Sequence, residues 1–268
     1  MCGRYVIVTK VKEVEKRFNV QAGSEAAQFS PRYNLGPGSS GLVITDKDPH
    51  RLQVFTFGYT PFWSKKRLYI FNARAEGDKN KDNDPAYKGA REIFLKPMFR
   101  HSIRTKRCLI PADAFIEGPE KEKLSKPYVV YLREKQRPFA FAGVWDEWVN
   151  KETGEVHHGY AIITTTSNSV TQAIQHHRSP VILPREWESS WLSKELSLEE
   201  TLDMLSPYPG QLMNAYPISD AIRSPRHEGP ELLKPIGKPL LKESEWSITE
   251  ELRLDGMGST TGRRKRNE

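Results

Sequence analysis

A chain of 268 residues can bury a substantial core, and its 41 Lys and Arg against 34 Asp and Glu leave a net charge of +7 that suits polyanionic partners. Its two cysteines, Cys2 and Cys108, are too few for a disulfide scaffold or a Cys-rich zinc site and fit a reducing compartment. No charged-then-apolar leader and no run of about 18 apolar residues occurs, so a soluble, cytoplasmic protein without membrane association is expected.

At the amino end, Met1-Cys2-Gly3-Arg4-Tyr5 places a thiol at the second residue. Removal of Met1 would leave a 1,2-aminothiol whose amine titrates near ~8 and whose thiol titrates near ~8.5, so a fraction of each nucleophile is present at neutral pH. Such a pair captures an aldehyde in two steps, amine first and thiol second, and closes a thiazolidine ring. Position alone favours Cys2 as merely a small residue opening a strand. Residues 5–8 read as that strand, and residues 10–18 as an amphipathic helix with Val11, Val14 and Phe18 on one side.

The Gly and Pro punctuation of Arg32-Tyr33-Asn34-Leu35-Gly36-Pro37-Gly38 predicts an ordered loop leading into a strand at 41–45. A strand at 52–59 runs into Thr60-Pro61-Phe62-Trp63-Ser64-Lys65-Lys66-Arg67. There, aromatic faces could stack on bases at about 1–3 kcal/mol each while the cations neutralise phosphates. Trp63 as ordinary core is an equal reading. A strand at 68–71 ends in Asn72-Ala73-Arg74-Ala75-Glu76, whose polar side chains, two residues apart, are expected on one side. A polar loop over 77–88 and a helix before Pro97 follow.

Residues 107–118 are strongly apolar and carry Glu117 near their end. Partial desolvation there would raise its pKa and let it trade protons near neutrality, unless it simply faces solvent from an alternating strand. Strands at 128–132 and 139–145 follow, with Trp145 and Trp148 as core. A strand at 160–164 opens Thr164-Thr165-Thr166-Ser167-Asn168, which can donate to phosphate oxygens or cap a helix over 169–175. That helix delivers His176-His177, which diverge from a helix end and have no further ligands nearby, so no metal is expected. One of them as an acid or base is plausible chemistry. Helices at 188–191 and 197–205, a last strand at 217–219, and a polar, basic, disordered tail over 241–268 complete the reading. A single domain over 1–240 is predicted, of α+β class, with a mostly antiparallel sheet curled into a partial β-barrel and flanking helices.

Taken together and in order, seven motifs resemble the SOS-response-associated peptidase family, whose members act as abasic-site shields on single-stranded DNA. They are Cys2-Gly3-Arg4-Tyr5, Arg32-Tyr33-Asn34-Leu35-Gly36-Pro37, Gly58-Tyr59-Thr60-Pro61-Phe62-Trp63, Asn72-Ala73-Arg74-Ala75-Glu76, residues 107–117, Phe141-Ala142-Gly143-Val144-Trp145, and His176-His177-Arg178-Ser179-Pro180-Val181-Ile182-Leu183. The resemblance implies that Cys2 loses Met1 by self-cleavage and then bonds to the ring-opened aldehyde of an abasic site. It implies that Asn72 holds the new amino group and the sugar, and that Glu117 and His176 are the active-site glutamate and histidine. Arg4, Arg74 and Arg178 would contact backbone phosphates, and Asn34, Pro37, Trp63 and Thr164 would belong to the DNA groove. The implied partner is single-stranded DNA containing abasic sites, met by a monomer with no cofactor and no metal.

The sequence also departs from the family pattern. Phe57 stands where a tryptophan is usual, Ala114 where a glycine is common, Gly118 where a tryptophan is common, Ser179 where a methionine is usual, and Ile222-Arg223 where a valine-asparagine pair is typical. Two other function classes fit the residues alone: a thiol peptidase or amidohydrolase with an N-terminal cysteine, and a single-strand-binding module without chemistry.

Overall fold

Five strands that alternate in direction cannot close into a ring without one parallel pair, and this chain supplies that pair. The structure, a computed structural model, describes residues 3–134 and 136–242. Cys2 and residues 243–268 of the expected tail lie outside the described residues. In chain order the strands are β1 (Tyr5–Ile7), β2 (Gln21–Ala22), β3 (Arg32–Leu35), β4 (Ser40–Thr45), β5 (Asp48–Phe57), β6 (Asn72–Arg74), β7 (Arg107–Ala112), β8 (Ala114–Glu117), β9 (Tyr128–Leu132), β10 (Phe139–Val149), β11 (Val156–Thr166), β12 (Arg178–Pro180), β13 (Ile182–Leu183) and β14 (Met213–Pro217). Strands β11, β10, β7, β4 and β5 pair antiparallel in that order, and β5 returns to β11 in parallel through Gly159 opposite Thr56 and Tyr160 opposite Phe57. The barrel is therefore closed rather than partial, which removes the exposed edges an open sheet would leave.

The second sheet runs β14, β9, β8, β1, β3 and is buried on both faces. Tyr5, Phe115, Val130 and Leu132 join the barrel core, while Val6, Ala114, Ile116, Val129 and Tyr131 pack with Ile218, Ile222, Leu232 and Leu233. Burial on both sides explains why residues 107–117 are almost continuously apolar instead of alternating. Asp113 lies between β7 in the barrel and β8 in the second sheet. Its carboxylate accepts from the Val8 and Thr9 amides and from Thr9 Oγ1, at 2.5 to 2.8 Å, so the switch between sheets also fixes the amino-terminal strand.

Several predicted elements change at their ends. Gly and Pro punctuate only residues 36–38, and the residues before them form β3 against β1. Residues 68–71 make one bridge, Tyr59 to Ile70, rather than a strand. The helix expected before Pro97 is a single 3-10 turn, Ile93–Leu95. The helix after Asn168 stops at Ala173, two residues before Gln175 takes a left-handed conformation with φ 58°. The last strand is β14, ahead of the predicted 217–219. Trp145 and Trp148 are core, as expected. No helix among the described residues is long and apolar enough to cross a membrane.

Candidate active site

The site forms where the two sheets meet. Strand β6 runs parallel to β11, with Asn72 opposite Ile162 and Arg74 opposite Thr164, so alternate residues Asn72 and Arg74 face one side while Ala73 is buried. Strand β12 pairs with the end of β11, placing Arg178 opposite Thr166. From the second sheet, β8 ends at Glu117, and the Ile116 amide donates to the Arg4 carbonyl at 2.9 Å, tying the segment that begins at Gly3 to the strand that carries Glu117. Around this junction lies a cavity of about 1120 Å³ whose lining includes Gly3, Arg4, Asn72, Glu117, His176 and Arg178.

His176 reaches the cavity through a short helix, Ser169–Ala173, capped by Asn168, whose side chain accepts from the Val170 and Thr171 amides. The hydroxyl-rich run thus serves as a cap at Asn168. The His176 amide then donates to Thr171 O at 2.8 Å, which aims the ring at β8. Its Nδ1 donates to the Gly118 carbonyl at 2.8 Å, leaving Nε2 as an acceptor 3.4 Å from Glu117 Oε2. Burial pushes the His176 pKa down to about 3 and the Glu117 pKa up to about 7. At neutral pH the imidazole is therefore neutral and the carboxyl partly protonated, so the two do not form an ion pair. The His177 ring stacks on His176 at 4.9 Å, and its Nδ1 lies 3.3 Å from Glu120 Oε2.

Two departures from the family pattern have local reasons. A Cβ at Gly118 would sit 1.9 Å from the Lys123 carbonyl, so the packing of the 119–126 segment across residue 118 admits only glycine there. Ser179 Oγ lies 3.0 Å from Thr171 Oγ1, a hydrogen bond that ties β12 to the helix preceding His176. Ser179 thus steadies the helix leading to His176, and glycine at 118 leaves room for the Lys123 carbonyl.

The cations are held differently from one another. Arg178 is 97 % buried and its Nη2 donates to Glu76 Oε2 at 2.8 Å, to Thr164 O at 2.8 Å and to Thr164 Oγ1 at 3.2 Å. Glu76, expected beside Asn72 and Arg74, instead turns inward and is fully buried, where Thr165 Oγ1 also donates to it at 3.3 Å. Arg4 packs over Gly36, where a Cβ would lie 1.5 Å from its Nη1. Because a buried arginine stripped of its carboxylate costs about 3–5 kcal/mol, Glu76→Ala should lower unfolding stability by that amount in urea titration. Glu76→Gln, which keeps an acceptor for Nη2, should lose less.

Pro37, Thr164 and His177 also line the cavity, and the Thr164 hydroxyl is turned toward Arg178. Trp63 does not line it but is 51 % exposed beside Phe62 at 54 %, on a turn whose Phe62 amide donates to Asp146 at 2.9 Å, so the core reading of Trp63 is set aside. Asn34 is buried, and its amide nitrogen donates to the carbonyls of Ile222, Ser224 and His227, bracing the segment that carries Arg223 to the cavity wall. Cys108 is buried in the barrel, where desolvation pushes its thiol well above the ordinary range. Asn83 and Phe71 line the cavity without having been singled out in the sequence, and so does Arg223, which stood out there only as a departure from the family pattern. Among the described residues, no group of three or more His, Cys, Asp or Glu could hold a metal ion.

A family model described as SOS response associated peptidase matches residues 1–225. The chain is 31 % identical over 239 residues to the abasic site processing protein YoqW of Bacillus subtilis, covering 87 % of this chain and 99 % of that one. It is 27 % identical over 267 residues to the abasic site processing protein HMCES of Gallus gallus, covering 87 % of this chain and 74 % of that one. A crystal structure of a protein from Bacteroides thetaiotaomicron superposes with a TM-score of 0.74 at 30 % identity, covering 87 % of this chain and 99 % of that one.

Proposed function

As the chain belongs to the SOS response associated peptidase family, we propose that it processes abasic sites in single-stranded DNA, with Cys2 as the covalent group, Glu117 as the proton carrier and His176 orienting it. The observation that carries this reading is a single cavity onto which Asn72, Glu117 and His176 converge with Arg4, Arg74 and Arg178, and whose wall includes Gly3, the residue peptide-bonded to Cys2. The names of the relatives supply the substrate class.

Hydrolysis of the Met1–Cys2 peptide bond consumes one water and frees the Cys2 amine. That amine adds to the aldehyde carbon of the ring-opened sugar to give a carbinolamine. Loss of its hydroxyl as water needs a proton, and a carboxyl with a pKa of about 7 is matched to deliver it at neutral pH. Sγ then adds to the carbon of the C=N bond and the thiol proton passes to nitrogen, so aldehyde and aminothiol yield thiazolidine plus water. Neutral His176 is not suited to act as the acid; with Nε2 facing Glu117 as an acceptor, it is suited to orient the Glu117 carboxyl and its proton. Asn72 offers both a donor and an acceptor for the amine and a sugar hydroxyl. Arg4 and Arg74 are suited to phosphates, which fixes the strand without reading its sequence, while Arg178, buried and neutralised by Glu76, braces the wall. A single strand already exposes the sugar that a duplex would have to unstack.

The test is a denaturing gel of the protein incubated with a labelled single strand carrying one abasic site, with the same strand bearing a base, and with the abasic strand in duplex. A retarded band with the abasic single strand alone is expected, together with noncovalent binding of the intact strand that weakens as salt rises. Cys2-dependent turnover of unrelated peptides without any DNA adduct would make the protein an amidohydrolase instead. Equal affinity for both single strands with no retarded band would reduce it to a binding module.

A further inference from the structure

Loop 77–91 connects β6 to the 3-10 turn at Ile93–Leu95 and sends one residue back to the cavity. Its base is braced. The buried Asn80 side chain accepts from the Asp84 amide at 2.8 Å and donates to the Asp84 carbonyl at 3.0 Å. Lys96 Nζ donates to Asp78 at 2.6 Å, and Arg91 Nε donates to the Leu205 carbonyl at 3.0 Å. On this base Asn83 adopts a left-handed conformation, φ 57°, lines the cavity, and accepts a hydrogen bond from Arg74 Nη2 through its Oδ1.

The chemistry of that acceptor matters. Arg178 is held by a carboxylate, which neutralises it, whereas Arg74 is held by an amide, which orients the guanidinium without cancelling its charge. None of the ion pairs among the described residues involves Arg74. Asp82 and Asp84 flank Asn83 in sequence, so a carboxylate at position 83 would be one atom-type away, yet the residue that meets Arg74 is the neutral one. We propose that Asn83 is a positioning residue for Arg74, holding the guanidinium over the cavity with its full charge available to a phosphodiester of the bound strand. This rests on the reading of the cavity as a single-stranded DNA site.

The experiment uses the full chain with Asn83→Asp and Asn83→Gly, the latter removing the acceptor while keeping the left-handed backbone free of strain. Affinity for an intact, labelled single strand is measured across a potassium chloride series. Asn83→Asp converts the contact into an ion pair, so binding should weaken roughly tenfold at low salt, and the slope of log affinity against log salt should fall by about 0.7, the value of one single-strand phosphate contact. Asn83→Gly should weaken binding by a smaller factor, roughly threefold, at an unchanged slope, since the charge remains but is no longer held. Wild-type affinity and slope in Asn83→Asp would overturn the role of Asn83, as would equal losses in both variants with neither slope changed. A wild-type protein that binds no single strand overturns the functional reading beneath the inference, an outcome distinct from either of these.

Discussion

Cys2→Ala should give no adduct that survives denaturation, while its affinity for an intact single strand stays within about twofold of the unmodified protein, since the change removes the covalent step and leaves the arginines untouched. Cys108→Ala is the matched control. Cys108 is buried in the barrel with its thiol pushed far from reactivity, so its removal should cost stability through a small cavity and leave adduct formation intact. Quantifying the retarded band for both variants separates the two thiols. A stable adduct from Cys2→Ala would sink the assignment of the nucleophile.

Glu117→Gln should slow adduct formation by about 10²–10⁴, the range lost when a positioned general acid is removed. In the unmodified protein the rate should decline as pH rises past about 7, where Glu117 gives up its proton, and Glu117→Gln should lose that limb of the profile. Stability should move as well. Burial raises Glu117 from 4.5 to about 7, so its contribution is complete below pH 4.5 and is lost as pH rises through 7. Burial lowers His176 from 6.5 to about 3, so its contribution is complete above pH 6.5 and is lost as pH falls toward 3. Between 4.5 and 6.5 the two oppose each other, and the unmodified protein should be nearly flat there. Glu117→Gln exposes the histidine limb alone and, relative to the unmodified protein, should gain up to ~3 kcal/mol between pH 4.5 and pH 8 in urea midpoints. Parallel stability curves for the two proteins would show that Glu117 is not buried in its charged form.

The proposed site residues were more legible in the sequence than their surroundings. Glu117 was legible because a carboxylate ending a dense apolar stretch has few ways to stay hydrated, and both its burial and its raised pKa agree. Asn72 and Arg74 were legible because alternation along a strand puts them on one side. The same rule misplaced Glu76, whose inward turn is set by Arg178, 102 residues further along the chain, a partner no local pattern reveals. Barrel closure was hidden for a similar reason, since the parallel contact of β5 with β11 joins residues about a hundred positions apart. Gly118 looked like lost bulk, yet the Lys123 carbonyl occupies the space a side chain would need. Asn83 carried only a turn signal in Asp-Asn-Asp-Pro, and its contact with Arg74 depends on how the loop folds back. Trp63 was balanced between core and surface, and its exposure fits the stacking role without placing it on the cavity wall.

The most direct test of the central claim is the intact mass of the purified protein, alone and after incubation with a short single strand carrying one abasic site. Loss of Met1 is expected in the protein alone, and with the abasic strand a product equal to processed protein plus strand less one water, with peptide mapping placing the bond on Cys2. A protein that keeps Met1 and still forms the adduct, or one that loses Met1 and forms none, would contradict that claim.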